Sequence, residues 1–279
     1  MKTAVRFLDE LRAGDIELAG GKGANLGELM GGGFPVPHGF VVTTEAHRAC
    51  VPAPPSLEQA AAAEFRALVE ATPIPPGLER AIREAYVRLA SPAVAVRSSA
   101  TAEDLPAASF AGQQDTHLDV SGEDALLTAV RRCWASLWTD RAIGYRAGRG
   151  IDSSSVALAV VVQAMAPHDV AGVVFTVNPL TGRRDELLVN ASRGSGEAVV
   201  GGEVVPDVWL ARRPDGAVTG FTPGRRGSRR GSLASDEVRE LAQLALRVEE
   251  HFGGVPQDIE WSRGEGRFHL LQSRPITTL

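Results

Sequence analysis

The chain changes rhythm near its middle, and that change constrains the fold more than any other feature. From residue 156 onward the apolar residues fall in short runs, 156–165, 172–177, 186–190 and 204–211, separated by turn signals such as Asn178-Pro179 and Thr181-Gly182. Runs of this length between such breakers read as strands. Before that point the recurrence is helical. Ser56 caps a helix to about Ala71, and Pro75-Pro76 open another to about Leu89. A short buried strand at 93–96 ends at Arg97, and a polar loop, 100–114, leads to 115–120. Ser121 then starts a long helix on which Leu126, Leu127, Val130, Cys133, Trp134 and Leu137 recur at helical spacing, ended by Gly148 and Gly150. A last helix over 235–252 precedes two strands joined by Gly264-Glu265-Gly266. A helix-rich part followed by a mixed-sheet part predicts an α/β (α+β) chain of two subdomains, 1–153 and 154–279, with a cleft between them.

Composition narrows the partners. With 279 residues, 44% hydrophobic and 23% charged, the chain can bury a core and reads as an ordinary globular protein. A net charge of −5 argues against nucleic acid, whose phosphates recruit basic surfaces. The longest apolar run, 156–166, is interrupted by Gln163 and is too short to cross a bilayer, so no membrane is expected. Asp9 and Glu10 follow the N-terminus too closely for a signal peptide. Cys50 and Cys133 have no metal-type spacing and need no disulfide, which points to a reducing cytoplasm. The 6 histidines form no Ser/His/Asp or zinc pattern.

Arginine is used almost to the exclusion of lysine. Of 29 basic residues only Lys2 and Lys22 are lysines. Lys2 is terminal. Lys22 sits in Gly20-Gly21-Lys22-Gly23-Ala24-Asn25, where a compact ammonium on a flexible stem fits and a planar guanidinium does not. A surface lysine that happens to stand beside glycines is the alternative.

The terminal hairpin gathers oxygen ligands and a cation. If Gly264–Gly266 forms a three-residue loop, Arg263 pairs with Arg267 and Glu260 lies opposite Leu270. The period of two then sets Glu260, Gln272 and Arg274 on one face, with Ile259, Trp261, His269, Leu271 and Ser273 on the other. A carboxylate, an amide oxygen and a guanidinium suit Mg²⁺ with nucleotide phosphates, because Mg²⁺ takes a few hard oxygens from protein and the rest from phosphate and water. A solvent-facing polar stripe has the same spacing, and both readings stand at this point. Arg97, emerging at a strand end with Ser98 and Ser99 beside it, is placed for phosphate, or for an ion pair with Glu103 or Asp104. The loop around Gly112, running to Thr116, offers a close backbone approach and a run of amide and hydroxyl donors. Gln163 and Met165 end the most hydrophobic strand, where an adenine edge would meet backbone donors, although a plain core terminus reads the same way.

These stretches occur in an order that resembles the N-terminal nucleotide-binding domain of phosphoenolpyruvate synthase, pyruvate phosphate dikinase and rifampicin phosphotransferase. The resemblance is carried by residues 20–28, 36–40, 96–104, 109–116 and 133–142, by Gln163 with Met165, by Asn178-Pro179, and by Asp258-Ile259-Glu260-Trp261 with Leu271-Gln272-Ser273-Arg274-Pro275. It spans essentially the whole chain. It implies an ATP-grasp fold with ATP between two subdomains. Lys22, Arg97, Gly112, Thr116, Gln163, Met165, Glu260, Gln272 and Arg274 would contact nucleotide or metal. Glu260 and Gln272 would be the Mg²⁺ ligands, while Lys22, Arg97 and Arg274 would hold the polyphosphate as the catalytic charges. In that family the β-phosphate of ATP ends on a histidine of a swivelling domain, with AMP and phosphate released, and passes to pyruvate or to a drug hydroxyl.

The chain departs from the family pattern in three ways. Gly194-Ser195-Gly196-Glu197 replaces a Gly-Leu-Gly-Glu element, the stretch from Cys50 to Ala93 looks short, and no histidine motif of the swivelling domain is seen. The resemblance therefore predicts the Mg²⁺-ATP half of a dikinase whose histidine domain and small-molecule acceptor site lie elsewhere. A free-standing ATP-grasp kinase or ligase and a non-catalytic nucleotide-binding module are the alternatives.

Overall fold

The computed structural model describes residues 3–52, 62–101, 104–105, 108–109, 115–148, 156–194, 204–213, 215–224 and 231–276. The helix cap expected at Ser56 and the loop glycine Gly112 lie outside these residues, as does most of the Gly194–Glu197 element. The chain divides into two units, Met1–Gly31 with His38–Met165, and Gly32–Pro37 with Ala166–Leu279.

The first unit is built on a five-stranded antiparallel sheet in the order β1 (Val5–Phe7), β2 (Gly39–Val42), β7 (Leu158–Ala164), β3 (Val94–Ala100), β6 (Thr116–Val120). A separate two-stranded ribbon pairs β4 (Asp104–Leu105) with β5 (Ala108–Ser109). The run at 156–165, expected to open the second subdomain, is thus the middle strand of the first sheet. Its continuous apolar character has that cause, since a central strand is covered on both faces. One face carries Phe40, Val42, Val94, Val96, Leu158, Val160 and Val162, all buried. They form one core with Phe65 and Val69 of α3 (Ala62–Ala71), Leu78, Ile82 and Tyr86 of α4 (Pro76–Arg88), and Leu126, Val130 and Trp134 of α5 (Glu123–Ala135). Phe65, Val69, Leu126 and Val130 recur at the three-to-four spacing that buries one helix stripe.

Two local expectations are corrected. The long helix predicted from Ser121 to Gly148 is α5, a 3₁₀ turn at Ser136–Trp138, and α6 (Asp140–Gly148). Thr139 breaks the run: its extended backbone (φ −72°, ψ 148°) cannot continue a helix, and its hydroxyl accepts the Ala142 N–H at 3.3 Å as a fresh N-cap. The strand expected to end at Arg97 continues to Ala100, which places Arg97 in mid-strand. Ser98 and Ser99 can lie buried in it because their hydroxyls donate to the Asp115 and Ala19 carbonyls, at 3.3 and 2.9 Å. The Gly-rich N-terminal stretch is helical, α1 (Ile16–Gly31), broken at Gly20. Repeated glycine lowers helix propensity, and close packing explains it here: a Cβ on Gly27 would stand 2.5 Å from Leu11 Cβ.

The second unit is a six-stranded antiparallel sheet in the order β11 (Val218–Thr222), β10 (Asp207–Arg212), β9 (Glu186–Arg193), β8 (Val170–Phe175), β12 (Gln257–Gly264), β13 (Arg267–Pro275). The helix α7 (Ser235–His251) lies across it. Glu237 accepts the Ala234 N–H at 2.8 Å and fixes the start of α7. Val238, Leu241, Ala242, Ala245 and Val248 form its buried stripe. The covered sheet face carries Val174, Val189, Trp209, Ile259 and Trp261, while the other face carries Val173, Phe175, Asn190, Val208 and Leu210, each only half buried.

Candidate functional site

In the first unit, register sorts the candidate residues onto the face opposite the core. Arg97 pairs with Val161 on one side and Thr116 on the other, Ala95 pairs with Gln163, and Ser99 pairs with Ala159. Directly paired residues share a face, so Arg97, Thr116 and Gln163 lie together, with Arg97 and Thr116 as immediate neighbours. The same face receives α1: a Cβ on Gly23 would stand 3.1 Å from Val41 Cγ2 and 3.7 Å from Val161 Cγ2. Lys22 is carried by this helix, in the first turn after the Gly20 break, and it is only 8% exposed. Its charge is felt at Cys133, whose thiol burial pushes up, with Asp115 pushing the same way and Lys22 opposing them. Two expectations shift. Arg97 does not sit at a strand end. The backbone donors at the end of β7 are already committed, Ala164 N–H to the His38 carbonyl and Met165 N–H to the Ala93 carbonyl, each at 2.9 Å. An adenine edge would not find a free N–H there.

In the second unit the terminal hairpin does gather its polar groups, by a different route from the one expected. The connection is the two-residue turn Glu265-Gly266, both with positive φ (52° and 76°), and Gly264 pairs with Arg267. A bulge then adds one residue, Leu271, between the pairs Trp261–Leu270 and Glu260–Gln272. Two single-residue departures cancel, so Glu260 faces Gln272 and Asp258 faces Arg274. Glu260, Gln272 and Arg274 share the half-exposed face as the parity predicts. The opposite face differs: Trp261 is matched by Leu270, and its ring meets Phe268 edge-on at 5.5 Å, whereas His269 pairs with Ser262.

Asp258 completes this cluster. Arg274 Nε and Nη2 both donate to Asp258 Oδ2, at 2.8 and 2.7 Å. Burial pushes the Asp258 carboxyl above the usual carboxylate range, and the charge of Glu260 pushes the same way, while Arg274 pulls it down. Two carboxylates two residues apart on one strand, with an amide opposite, form a negative, oxygen-rich spot whose repulsion a cation would relieve. No group of three or more His, Cys, Asp or Glu arranged to hold a metal occurs among the described residues. A cation at this spot would have to bring most of its ligands, as Mg²⁺ does with phosphate and water.

Residues 16–226 and 217–279 match the family model described as the pyruvate phosphate dikinase AMP/ATP-binding domain. The chain belongs to this family. Two antiparallel sheets in a mixed α/β chain agree with the ATP-grasp-like architecture of the AMP/ATP-binding domain. The chain is 40% identical to a probable phosphoenolpyruvate synthase of Methanocaldococcus jannaschii, over 99% of its own length and 27% of that protein. It is 43% identical to a rifampicin phosphotransferase of a Streptomyces species, over 98% of its own length and 36% of that protein. An acetyl-coenzyme A synthetase chain from Ca. Korarchaeum cryptofilum covers 91% of it at 13% identity, with a TM-score of 0.43, a likeness too loose to carry an argument. The chain spans between 27% and 46% of the length of the curated relatives it matches. No helix among the described residues is long and apolar enough to cross a membrane.

Spacing and composition did not single out Asp258. Asp258 had a signal, since it stands two residues before Glu260 and so on the same face. Ser99, which stands beside Arg97 in the phosphate reading, instead commits its hydroxyl to the Ala19 carbonyl at 2.9 Å.

Proposed function

We propose that this chain is the Mg²⁺-ATP-binding part of a dikinase-type phosphotransferase related to phosphoenolpyruvate synthase and rifampicin phosphotransferase. It passes the β-phosphate of ATP to a histidine on a swivelling domain outside residues 1–279, with AMP and phosphate released, and from there to a small acceptor such as pyruvate or a drug hydroxyl, in the cytoplasm. The observation that carries this reading is the pair of sheet faces. One bears Arg97, Thr116 and Gln163 and is packed by the helix that carries Lys22, and the other bears Glu260, Gln272 and Arg274 with Asp258, in a chain matched along nearly its whole length by an AMP/ATP-binding family.

Lys22, Arg97 and Arg274 hold the polyphosphate, Glu260 and Gln272 supply oxygens to Mg²⁺, and Met165 and Gln163 border the base, with Gly112 and Thr116 contributing backbone and hydroxyl contacts. Phosphoryl transfer asks for positioning and charge neutralisation more than for covalent chemistry, and cations carried on strands and on a clamped helix turn provide both. Mg²⁺, when bound, would neutralise part of the phosphate charge.

The test is incubation with Mg²⁺-ATP, with and without a separately supplied histidine domain from a relative. AMP and phosphate appearing only with that domain support the reading. ADP formed with a small acceptor alone would overturn it in favour of a free-standing kinase. Tight binding without turnover in every condition would favour a nucleotide-binding module. Glu260→Ala should reduce Mg²⁺-dependent ATP affinity by about a hundredfold, as expected for losing a charged ligand; unchanged affinity removes Glu260 from the metal site.

A further inference from the structure

The break in α1 is held by a residue from another element. Gly20 has φ 67° and ψ 172° inside an otherwise helical stretch. The helix stops at Ala19 and restarts after Gly20, so Gly20 occupies the N-cap position of the second segment and Gly23 its third residue. An N-cap side chain normally accepts the N–H of that third residue, and glycine has none to offer. The missing oxygen comes from Ser99 of β3, whose Oγ accepts the Gly23 N–H at 3.2 Å. The same Oγ donates its proton to the Ala19 carbonyl at 2.9 Å. One hydroxyl thus closes the end of the first segment and the start of the second.

The fit is tight and fully buried. Ser99 has no exposed surface. A Cβ added at Gly20 would overlap the Ser99 carbonyl oxygen and Oγ, which explains why the cap is supplied from the strand and not from position 20 itself. Lys22 lies between Ala19 and Gly23, within the three-residue span that Ser99 clamps. A lysine in the first turn of a helix sits at the positive end of the backbone dipole, an unfavourable place for a cation and a favourable one for an anion. Such a residue needs its backbone fixed from outside if its ammonium is to meet a phosphate in one place.

We infer that Ser99 is the positioning residue for Lys22, setting the phosphate-facing lysine by capping both sides of the Gly20 break. This rests on Lys22 holding phosphate, and the two claims can be tested apart. Because Lys2 and Lys22 are the only lysines, reaction of the full chain with an amine-directed reagent, read by mass spectrometry, follows Lys22 with Lys2 as internal reference. Ser99→Ala should change the Lys22 labelling rate several-fold relative to Lys2 and weaken Mg²⁺-ATP binding by about tenfold, the equivalent of one hydrogen bond. Ser99→Cys, similar in size and weaker in hydrogen bonding, should fall between Ala and wild type and covers the case in which the alanine variant does not fold.

Thr44 provides the control. Its hydroxyl ties to the Glu17 carbonyl at 2.6 Å, on the near side of the break. Thr44→Ala should lower the melting temperature while leaving Lys22 labelling and ATP affinity as in wild type. Equal effects from Thr44→Ala and Ser99→Ala, or no effect of Ser99→Ala on labelling, would overturn the inference. If Lys22→Met leaves ATP affinity unchanged, the phosphate role of Lys22 falls, and the Ser99 inference is then judged on labelling alone.

Discussion

The two units present their polar groups by different means. In the first, the backbone that carries Lys22 and Arg97 is fixed by close packing and strand pairing. The helix that carries Lys22 is glycine-rich, broken at Gly20 and clamped by a strand serine, and Arg97 is fixed by being in mid-sheet. In the second, Glu260, Gln272, Asp258 and Arg274 are held by cross-strand pairing and by an ion pair. The difference teaches where each side is brittle. Backbone packing tolerates a change of charge and fails when a methyl is added. A paired side-chain cluster tolerates small steric changes and fails when a charge is removed.

The largest expected effect follows from the first half of that contrast. Gly20→Ala adds a Cβ that would overlap Ser99 and holds alanine at a positive φ. A destabilisation of about 3 kcal/mol or more is expected, measured by urea unfolding, with ATP binding lost together with it. A mild effect there would show that the break is elastic and would dissolve the contrast.

Next come the buried ionisable groups, which acid should affect with opposite sign in the two units. His47 of α2 (Thr44–Cys50) is 5% exposed and packs edge-on to Trp134. Burial first, and Arg48 second, lower its pKa to about 4. Between that value and the ordinary 6.5 the unfolded chain binds the extra proton, so stability is lost as pH falls through this window, by up to about 3 kcal/mol. Asp258 runs the other way: raised in the fold, it favours the protonated form there, so its contribution improves as pH falls toward the ordinary carboxylate value. Melting curves between pH 7 and 4.5 should drop steeply for wild type and flatten in His47→Leu. Equal slopes would remove His47 as the cause.

Asp258→Asn is a smaller step. It keeps the shape and removes the charge that Arg274 grips, so Mg²⁺-ATP affinity should fall by roughly tenfold, about 1.4 kcal/mol. Titration calorimetry with and without Mg²⁺ reads it. An unchanged affinity would mean that the Asp258 charge is not what holds Arg274 for the nucleotide.

What the sequence made legible follows the range of the interactions. α4 and α7 could be read because their signals are local: Pro76 at the start of one, Glu237 and a periodic stripe in the other. The extent of β3 could not, because Ser98 and Ser99 look like a polar strand end until their distant partners, the Asp115 and Ala19 carbonyls, are known. The Gly20 break hides for the same reason, since its cap is 76 residues from Gly23. The strand at 158–164 was visible as a strand, but its unit was not, because membership is decided by pairing with β2 and β3. On the hairpin, parity placed Glu260, Gln272 and Arg274 together although both the turn and the pairing were one residue off. Asp258 went unassigned although the same parity puts it beside Glu260, because its ion pair with Arg274 emerges only from the strand register.

The smallest expected effect probes that hairpin. Glu265 has φ 52° at the first position of a two-residue turn, a conformation that suits asparagine much better than glutamate. Glu265→Asn creates the favoured Asn-Gly pair and should stabilise the protein by roughly 0.5 kcal/mol, a rise in Tm of about one or two degrees. Mg²⁺-ATP affinity should not change, because the bulge at Leu271 stands between the turn and the Glu260–Gln272 pair and absorbs a change in the turn. A shift in affinity would instead show that the turn sets the register of the whole hairpin. In that case the second unit, like the first, would place its polar groups through backbone.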